Sequence, residues 1–220
     1  MLSAGRKMRK SRGIKVMRKN YLYIFLFTFL FTSCSVLRRT APDPATHDEG
    51  VVINGVRWAT RNVDAPGTFA PTPESLGMFF QWNRKKAWNT TDKFAESWDK
   101  TIPEGTKWEK ENDPCPKGWR VPTLEELQTL MYAGNIQTTQ NGVFGSLFGT
   151  ASNQVFLPAA GDRGGLYCSS IGSVGVWGRY WSSTSDDNHM WSARGFSFGI
   201  SDWSTFGHRA NGRSVRCVAK

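Results

Sequence analysis

This 220-residue chain contains few residues in patterns typical of catalysis or metal binding. The chain has four cysteines and three histidines. It contains no phosphate-binding P-loop, no H-E-x-x-H zinc motif and no C-x-x-C pair. Asp186, Asp187 and Asn188 place three oxygen-bearing side chains in a row, which is a composition that calcium could use. These patterns favour a protein that binds a partner over an enzyme, and we expect no cofactor.

The N-terminal residues predict a removable signal peptide over residues 1–33. Residues 1–20 carry eight basic side chains and no acidic one, and residues 21–31 form an apolar run. This run is too short to cross a hydrocarbon core of about 30 Å as a helix, which needs about 20 residues. A basic segment followed by a short apolar run is typical of a signal peptide. Translation could begin at Met1, Met8 or Met17.

Cys34 follows small residues in the segment Phe31-Thr32-Ser33-Cys34. This arrangement resembles the lipobox of bacterial lipoproteins, with phenylalanine where the motif usually has leucine. The resemblance implies that Cys34 is lipidated and becomes the new N-terminus; a plain secretory signal is the alternative. Each buried CH₂ of an acyl chain contributes about 0.8 kcal/mol, and more than one chain gives stable membrane attachment. We therefore expect a membrane partner, reached through a lipid anchor.

Residues 34–50 contain prolines and polar side chains without an apolar period, which predicts a flexible tether. Ser35 does not resemble an inner-membrane retention signal, which favours the outer membrane, on its periplasmic face or at the cell surface. Removal of residues 1–33 would leave 20 basic and 18 acidic residues, a net charge of +2. Such a chain has no excess of positive charge for phosphate, so no nucleic-acid partner is expected.

Residues 51–220 form the predicted globular domain. Short apolar segments bounded by turn residues predict short strands joined by long loops. Thr123 and Glu126 have the spacing of a capping box ahead of apolar residues three and four apart, which predicts a helix that ends at Gly134. A second helix is predicted over residues 91–99.

Three strands are predicted near the C-terminus, over residues 180–184, 192–199 and 212–218. In the second of them, Phe196 and Phe198 alternate with Ser197 and Gly199. Because successive side chains of a strand point to opposite faces, we expect the two phenylalanines to be buried and the other two residues to lie on the outer face.

Six segments of the domain carry a family resemblance. They are residues 57–62 (RWATRN), 77–82 (GMFFQW), 112–122 (NDPCPKGWRVP), 156–161 (FLPAAG), 180–184 (YWSST) and 214–218 (SVRCV). In this order they resemble the Fibrobacter succinogenes major paralogous domain. That family is similar to the C-type lectin fold, including the variants found in formylglycine-generating enzymes and in the variable proteins of diversity-generating retroelements.

The resemblance implies an α+β, C-type lectin-like fold with two helices, small antiparallel sheets and long loops. It also implies a binding face on the C-terminal strands and loops. The Glu-Pro-Asn and Trp-Asn-Asp signatures of calcium-dependent sugar-binding lectins are absent. We therefore expect no metal at residues 186–188.

Two of the matching segments each contain a cysteine, and the resemblance implies a disulfide between Cys115 and Cys217. Cys168 is then left over, because the domain has an odd number of cysteines. Cys168 and Cys217 also lie roughly where formylglycine-generating enzymes keep their reactive pair. An oxidase of that type is an alternative, although the flanking residues do not match its site.

The predicted binding face lies between Trp181 and Arg216, where residue types common on recognition surfaces interrupt the strands. The predicted ligand-binding residues are Asp187, His189, Trp191, Arg194, Ser201, Asp202, Trp203, Phe206, His208 and Arg209. Both tryptophans in this set could equally belong to the core. The histidines are expected to contact a ligand rather than to serve as bases or metal ligands.

Three functions fit these features. The first is an envelope-anchored module or adhesin that binds a glycan or a protein. The second is a retroelement-diversified variable receptor, which a near-copy of the DNA for residues 180–216, differing at adenines and lying beside a reverse-transcriptase gene, would reveal. The third is a structural component of a surface appendage, which would self-assemble and bind no separate ligand.

Overall fold

The computed structural model describes residues 41–165, 169–199 and 204–220. Residues 41–220 belong to one compact unit. The predicted signal peptide lies outside the described residues, and so do six other residues named above: Cys34, Ser35, Cys168, Ser201, Asp202 and Trp203.

The described residues form short strands, one α-helix and one 3₁₀ turn. The strands are β1 (Val51–Ile53), β2 (Val56–Trp58), β3 (Phe79–Phe80), β4 (Ala87–Trp88), β5 (Trp119–Arg120), β6 (Asn135–Gln140), β7 (Val143–Thr150), β8 (Asn153–Pro158), β9 (Asp162–Arg163), β10 (Ile171–Gly172), β11 (Trp177–Ser185), β12 (Ser192–Gly199), β13 (Ser204–His208) and β14 (Val218–Ala219). The 3₁₀ turn covers Lys110–Asn112, and the helix α1 covers Leu124–Tyr132.

The predicted α+β fold class was wrong. The described residues are mostly small antiparallel sheets with a single helix, and they contain no two-helix C-type lectin-like arrangement. Residues 91–99, predicted as a second helix, form turns and bends. Ser97 there has a φ of +59°, in the left-handed region that interrupts a helix. Phe94 is exposed while Trp98 is buried, so the two do not form one apolar face.

The predicted helix at Thr123 is confirmed. The Thr123 hydroxyl accepts the Glu126 N–H at 3.3 Å, and the Glu126 carboxylate accepts the Thr123 N–H at 2.8 Å. These reciprocal bonds satisfy two N–H groups that the first helical turn leaves without partners. Leu127 and Leu130 face the core. The chain leaves the helix through Gly134, whose φ of +76° suits glycine.

The strands pair into five antiparallel sheets within the described residues. The largest has the order β1-β2-β14-β5, and two three-stranded sheets have the orders β6-β7-β8 and β11-β12-β13. The strand predicted over residues 212–218 is shorter than expected, because only Val218 belongs to β14. Arg213 and Ser214 instead form isolated bridges to Phe80 and Tyr180.

No helix in the described residues is long and apolar enough to cross a membrane.

The helix packs against the sheet formed by β11, β12 and β13. Leu127 and Leu130 join Tyr180, Phe196 and Phe198 in one buried cluster. The predicted burial of the two phenylalanines is confirmed. Ser197, expected on the outer face, is buried as well, so strand β12 is covered on both faces.

The disulfide implied by the family resemblance is confirmed. Cys115 and Cys217 are bonded, with their Cα atoms 6.1 Å apart. The bond joins positions separated by 102 residues. In the chain-entropy account, closing a loop of this length stabilises the folded state by about 4 to 5 kcal/mol.

Residues 41–50, from the predicted tether, contact the rest of the compact unit. Asp48 is the main contact: its carboxylate accepts the Thr60 N–H at 3.1 Å and the Thr60 hydroxyl at 2.9 Å. Arg61 donates from Nε to the same carboxylate at 3.3 Å and from Nη1 to the Pro44 carbonyl at 2.8 Å.

The segments that carry the family resemblance meet at the buried side chain of Arg216. Its guanidinium donates to Asn62 Oδ1 at 3.0 Å and to the carbonyls of Ala59 and Phe156, both at 3.1 Å. Asn62 Nδ2 in turn lies 3.4 Å from the Tyr180 hydroxyl. Four of the six segments therefore contribute to one buried polar hub, which identifies them as residues that hold the fold together.

Candidate functional site

The end of the β11-β12-β13 sheet brings together most of the predicted binding residues that the structure describes. The loop 186–191 connects β11 to β12, and the pairing of Ser192 with His208 places β13 beside it. Arg194 pairs with Phe206 two residues further along the same strands. Asp187, His189 and Trp191 lie in the loop itself.

A pocket of about 590 Å³ opens next to this loop. Its first wall is residues 102–106, its second wall is residues 185–187 with Met190, and Arg209 also lines it. We call it the recognition pocket. Its volume lies within the range of about 300 to 1,000 Å³ that is usual for ligand sites.

Arg209 links the first wall of the recognition pocket to Ser192, which directly follows the loop 186–191. Its Nη1 donates to the carbonyls of Pro103 at 3.2 Å and Gly105 at 2.9 Å, and its Nε donates to the Ser192 carbonyl at 2.7 Å. The guanidinium lies over the ring of Trp82, 4.4 Å from its centroid. Burial lowers the pKa of Arg209. Arg209 was predicted to contact a ligand, and these bonds give it a role in positioning the first wall.

Asn83 also fixes the first wall, through the carbonyl between the two that Arg209 binds. Its Nδ2 donates to the Glu104 carbonyl at 2.9 Å, while its Oδ1 accepts the Glu109 N–H at 2.7 Å. Asn83 itself has a φ of +53°, a conformation that asparagine adopts more readily than most residues. The wall over residues 102–106 is therefore held by side chains from two other parts of the chain.

Asp186 places a buried negative charge in the second wall. Burial would raise its pKa, but the N–H of Asn188 at 3.2 Å, the charge of Arg194 at 3.4 Å and His189 at 3.4 Å outweigh this effect. The pKa of Asp186 is consequently lowered from its ordinary value. The carboxylate is ionised at neutral pH and orders the loop that carries Asp187.

Three aromatic rings are in contact beside the recognition pocket, and two of them, Trp191 and His208, are stacked. Trp191 lies between His189, with ring centroids 5.1 Å apart, and His208, with centroids 5.8 Å apart and planes at 23°. Trp191 is 43% exposed, so it belongs to the surface and not to the core. Burial lowers the pKa of His208, which favours its neutral form. Its Nδ1 accepts the Ala210 N–H at 3.2 Å.

Exposed apolar side chains surround this face. Met190 is 82% exposed and Ile102 is 42% exposed, and both line the recognition pocket. Phe206, on β13, is 53% exposed. Met190 and the segment 102–106 were missing from the predicted site. The only local sign of these site residues was an apolar side chain, methionine or isoleucine, in an otherwise polar loop. Nothing in the sequence indicates that the two loops, about 80 residues apart, meet.

The chain matches no family model, no curated protein and no solved structure. The resemblance to the Fibrobacter succinogenes major paralogous domain therefore stays a prediction. Within the described residues, no three His, Cys, Asp or Glu side chains are grouped closely enough to hold a metal ion.

Ser197 stands in Gly195-Phe196-Ser197-Phe198-Gly199, which has the G-x-S-x-G spacing of a nucleophile elbow. An elbow presents its serine at a sharp turn between a strand and a helix. Ser197 is instead buried within the strand β12. The spacing is therefore not accompanied by the geometry that this chemistry requires.

Proposed function

We propose that this protein is a ligand-binding module of the bacterial envelope, with its ligand site in the recognition pocket and the adjacent aromatic stack. The observation that carries the proposal is a pocket with exposed apolar side chains and a first wall, residues 102–106, that side-chain hydrogen bonds hold in place. Met190 and Ile102 are the exposed apolar residues, and Arg209 and Asn83 hold that wall.

The exposure of these side chains supports binding. Single exposed apolar residues are common on protein surfaces, but a cluster of them around a concave site is typical of an interaction surface. Trp191 adds a large aromatic side chain, and tryptophan is enriched among the residues that dominate binding energy. A wall fixed before binding also reduces the entropy that association costs.

We further propose that lipidation of Cys34 attaches the module to the outer membrane, on its periplasmic face or at the cell surface. The lipobox-like segment 31–34 and the basic and apolar residues before it support this location. A short tether would hold the pocket clear of the lipid surface, where the module could bind a glycan or a protein.

The proposal is tested by screening the full chain against an array of glycans and envelope proteins. The test variant Ile102→Ser/Met190→Ser changes only exposed pocket residues, so its stability should stay within about 0.5 kcal/mol of the parent. We expect it to lose about tenfold or more in affinity for any ligand found. The matched control is Tyr132→Ser/Ile136→Ser, which changes two exposed apolar residues outside the recognition pocket. A ligand that both variants bind equally would contradict this site.

A further inference from the structure

The segment 106–108 separates the recognition pocket from a second concave surface. Thr106 lines the recognition pocket, whereas Lys107 and Trp108 line a groove of about 720 Å³ on the other side. On the facing strand β11, Ser185 lines the pocket and Ser183 lines the groove. The two concave surfaces therefore flank one narrow ridge.

The ridge, residues 106–108, is firmly attached to β11. Lys107 forms an antiparallel bridge with Thr184, and the Trp108 N–H donates to the Ser183 carbonyl at 2.9 Å. The indole N–H of Trp108 donates to the Asn112 carbonyl at 2.8 Å. The position of the recognition pocket relative to the groove is therefore fixed by the ridge.

The groove is basic, and we call it the basic groove. Five exposed lysines line it: Lys85, Lys107, Lys110, Lys117 and Lys220. Among the residues that the structure describes, none of these lysines pairs with a carboxylate. The carboxylates that line the groove are Glu109 and Asp113. Arg120 also lines it but pairs with Glu126 through two bonds of 2.7 and 2.6 Å. The groove thus has unpaired positive charge for an anionic ligand.

The exposed charges of the recognition pocket are negative, because its lining cation, Arg209, is buried and directs its guanidinium to three backbone carbonyls. Glu104 and Asp187 are exposed at its walls, next to the apolar side chains of Ile102 and Met190. Asp186 adds a third carboxylate, which Arg194 partly neutralises. An apolar group that carries a positive charge would complement this surface.

We propose that the ligand is an extended polypeptide segment that lies across the ridge, with basic and apolar residues in the recognition pocket and acidic residues in the basic groove. This inference rests on the proposed function and names the ligand class. A polypeptide can combine cationic, aliphatic and carboxylate side chains in one chain. A polyanionic glycan or a nucleic acid complements the groove alone, and the carboxylates of Glu104 and Asp187 would repel it.

The tryptophans of the basic groove favour the same choice. Trp108 and Trp119 are both buried, so they offer no open ring face. Single-stranded nucleic acids bind through bases stacked on exposed aromatic rings, and sugar rings pack on aromatic faces in a similar way. The groove instead presents ammonium groups at the ends of flexible lysine side chains. Such groups can pair with the carboxylates of acidic side chains.

The test uses three fluorescent probe peptides and the full chain. One probe joins a lysine–leucine block to a glutamate block through a short Gly-Ser linker, and the other two probes carry a single block each. We expect the two-block probe, in one of its two block orders, to bind about tenfold or more tighter than either single block. Linking makes the second contact intramolecular and raises its effective concentration.

Two charge variants assign each block to its surface. Lys107→Gln/Lys110→Gln should lower the affinity of the two-block probe to that of the lysine–leucine block. Glu104→Gln/Asp187→Asn should lower it to that of the glutamate block. Lys93→Gln/Lys100→Gln is the matched control, because it removes two positive charges that do not line the basic groove and should leave the affinity unchanged.

Heparin and a single-stranded oligonucleotide are the competing probes. The inference is overturned if either binds as tightly as the two-block peptide and loses affinity only in the groove variant. It is also overturned if the two-block peptide binds no tighter than the lysine–leucine block alone. In that second case the recognition pocket would still bind its block, so the proposed function would stand. If no peptide block binds and the array yields no ligand, both proposals fail.

Discussion

At the scale of single residues, the described fold depends on buried polar side chains that satisfy backbone groups from distant segments. Arg216 is the clearest case, since it donates to Asn62, Ala59 and Phe156 while fully buried. Burial raises the pKa of Tyr180, its neighbour in the same hub, to about 12, so the phenol is neutral at ordinary pH. The hub therefore combines one cation with neutral acceptors.

Replacement of this cation should cost much stability. In Arg216→Met, the acceptors of Asn62, Ala59 and Phe156 lose their donors in a buried site, and each unsatisfied group costs about 1 to 3 kcal/mol. We expect the free energy of unfolding to fall by about 3 kcal/mol or more, as measured by urea denaturation. Arg216→Lys keeps the charge but lacks the planar fork, so it should recover only part of the loss. A loss below about 0.5 kcal/mol in the Met variant would contradict the role of the hub.

His208 should make stability depend on pH. Because burial lowers its pKa in the folded state below the ordinary value of 6.5, the unfolded chain binds the proton more readily. This contribution is complete above pH 6.5 and is lost as the pH falls from the unfolded pKa to the folded one. We expect the Tm of His208→Gln to decline less between pH 7.5 and 5 than that of the parent, as followed by circular dichroism. Equal declines in the two proteins would refute this contribution.

At the scale of elements, local signals predicted α1 well because its capping residues lie within four positions of each other. Thr123 and Glu126 determine where the helix begins, and Gly134 lies where the chain leaves it. The second predicted helix failed because Trp98 packs against Trp88, with ring centroids 4.6 Å apart, and donates its indole N–H to the Gly165 carbonyl at 2.8 Å. A pattern of two aromatic residues four apart contains no information about such distant partners.

The cap of α1 offers a direct measurement at this scale. Thr123→Ala removes the hydroxyl that accepts the Glu126 N–H, and loss of an N-cap costs about 1 kcal/mol. We expect this decrease in the free energy of unfolding by denaturant titration. Thr150→Ala, at the exposed end of β7, is the control and should change stability little. Equal effects of the two substitutions would mean that the capping box contributes nothing specific.

Only one of the two walls of the recognition pocket could be predicted from the sequence. The loop 186–191 adjoins the predicted C-terminal strands, and most of its binding residues could be named from their types alone. The segment 102–106 is held at the same place by Arg209 and Asn83, which bind its carbonyls, and by the bridge between Lys107 and Thr184. These are contacts between residues 21 to 106 positions apart, which no local pattern encodes.

At the scale of the whole molecule, the segments that resemble a family and the segments that form the candidate site are different parts of the chain. The resembling segments supply the Arg216 hub and both cysteines of the disulfide. The recognition pocket lies in the loops between them. A fold built in this way can accommodate changes in its loops while its buried hub stays constant.

The proposed attachment of this molecule to a membrane depends on one atom, the sulfur of Cys34. When the full chain is expressed in a Gram-negative host, we expect it to incorporate labelled palmitate and to sediment with the outer membrane. Cys34→Ser should abolish both the label and the outer-membrane sedimentation, because residue 34 then has no sulfur to carry the lipid. Cys168→Ser is the matched control: it also removes one sulfur and should leave label and sedimentation unchanged. If Cys34→Ser still sediments with the outer membrane without label and without its signal peptide, the attachment would come from the protein surface itself, and the lysines of the basic groove would be the first residues to test.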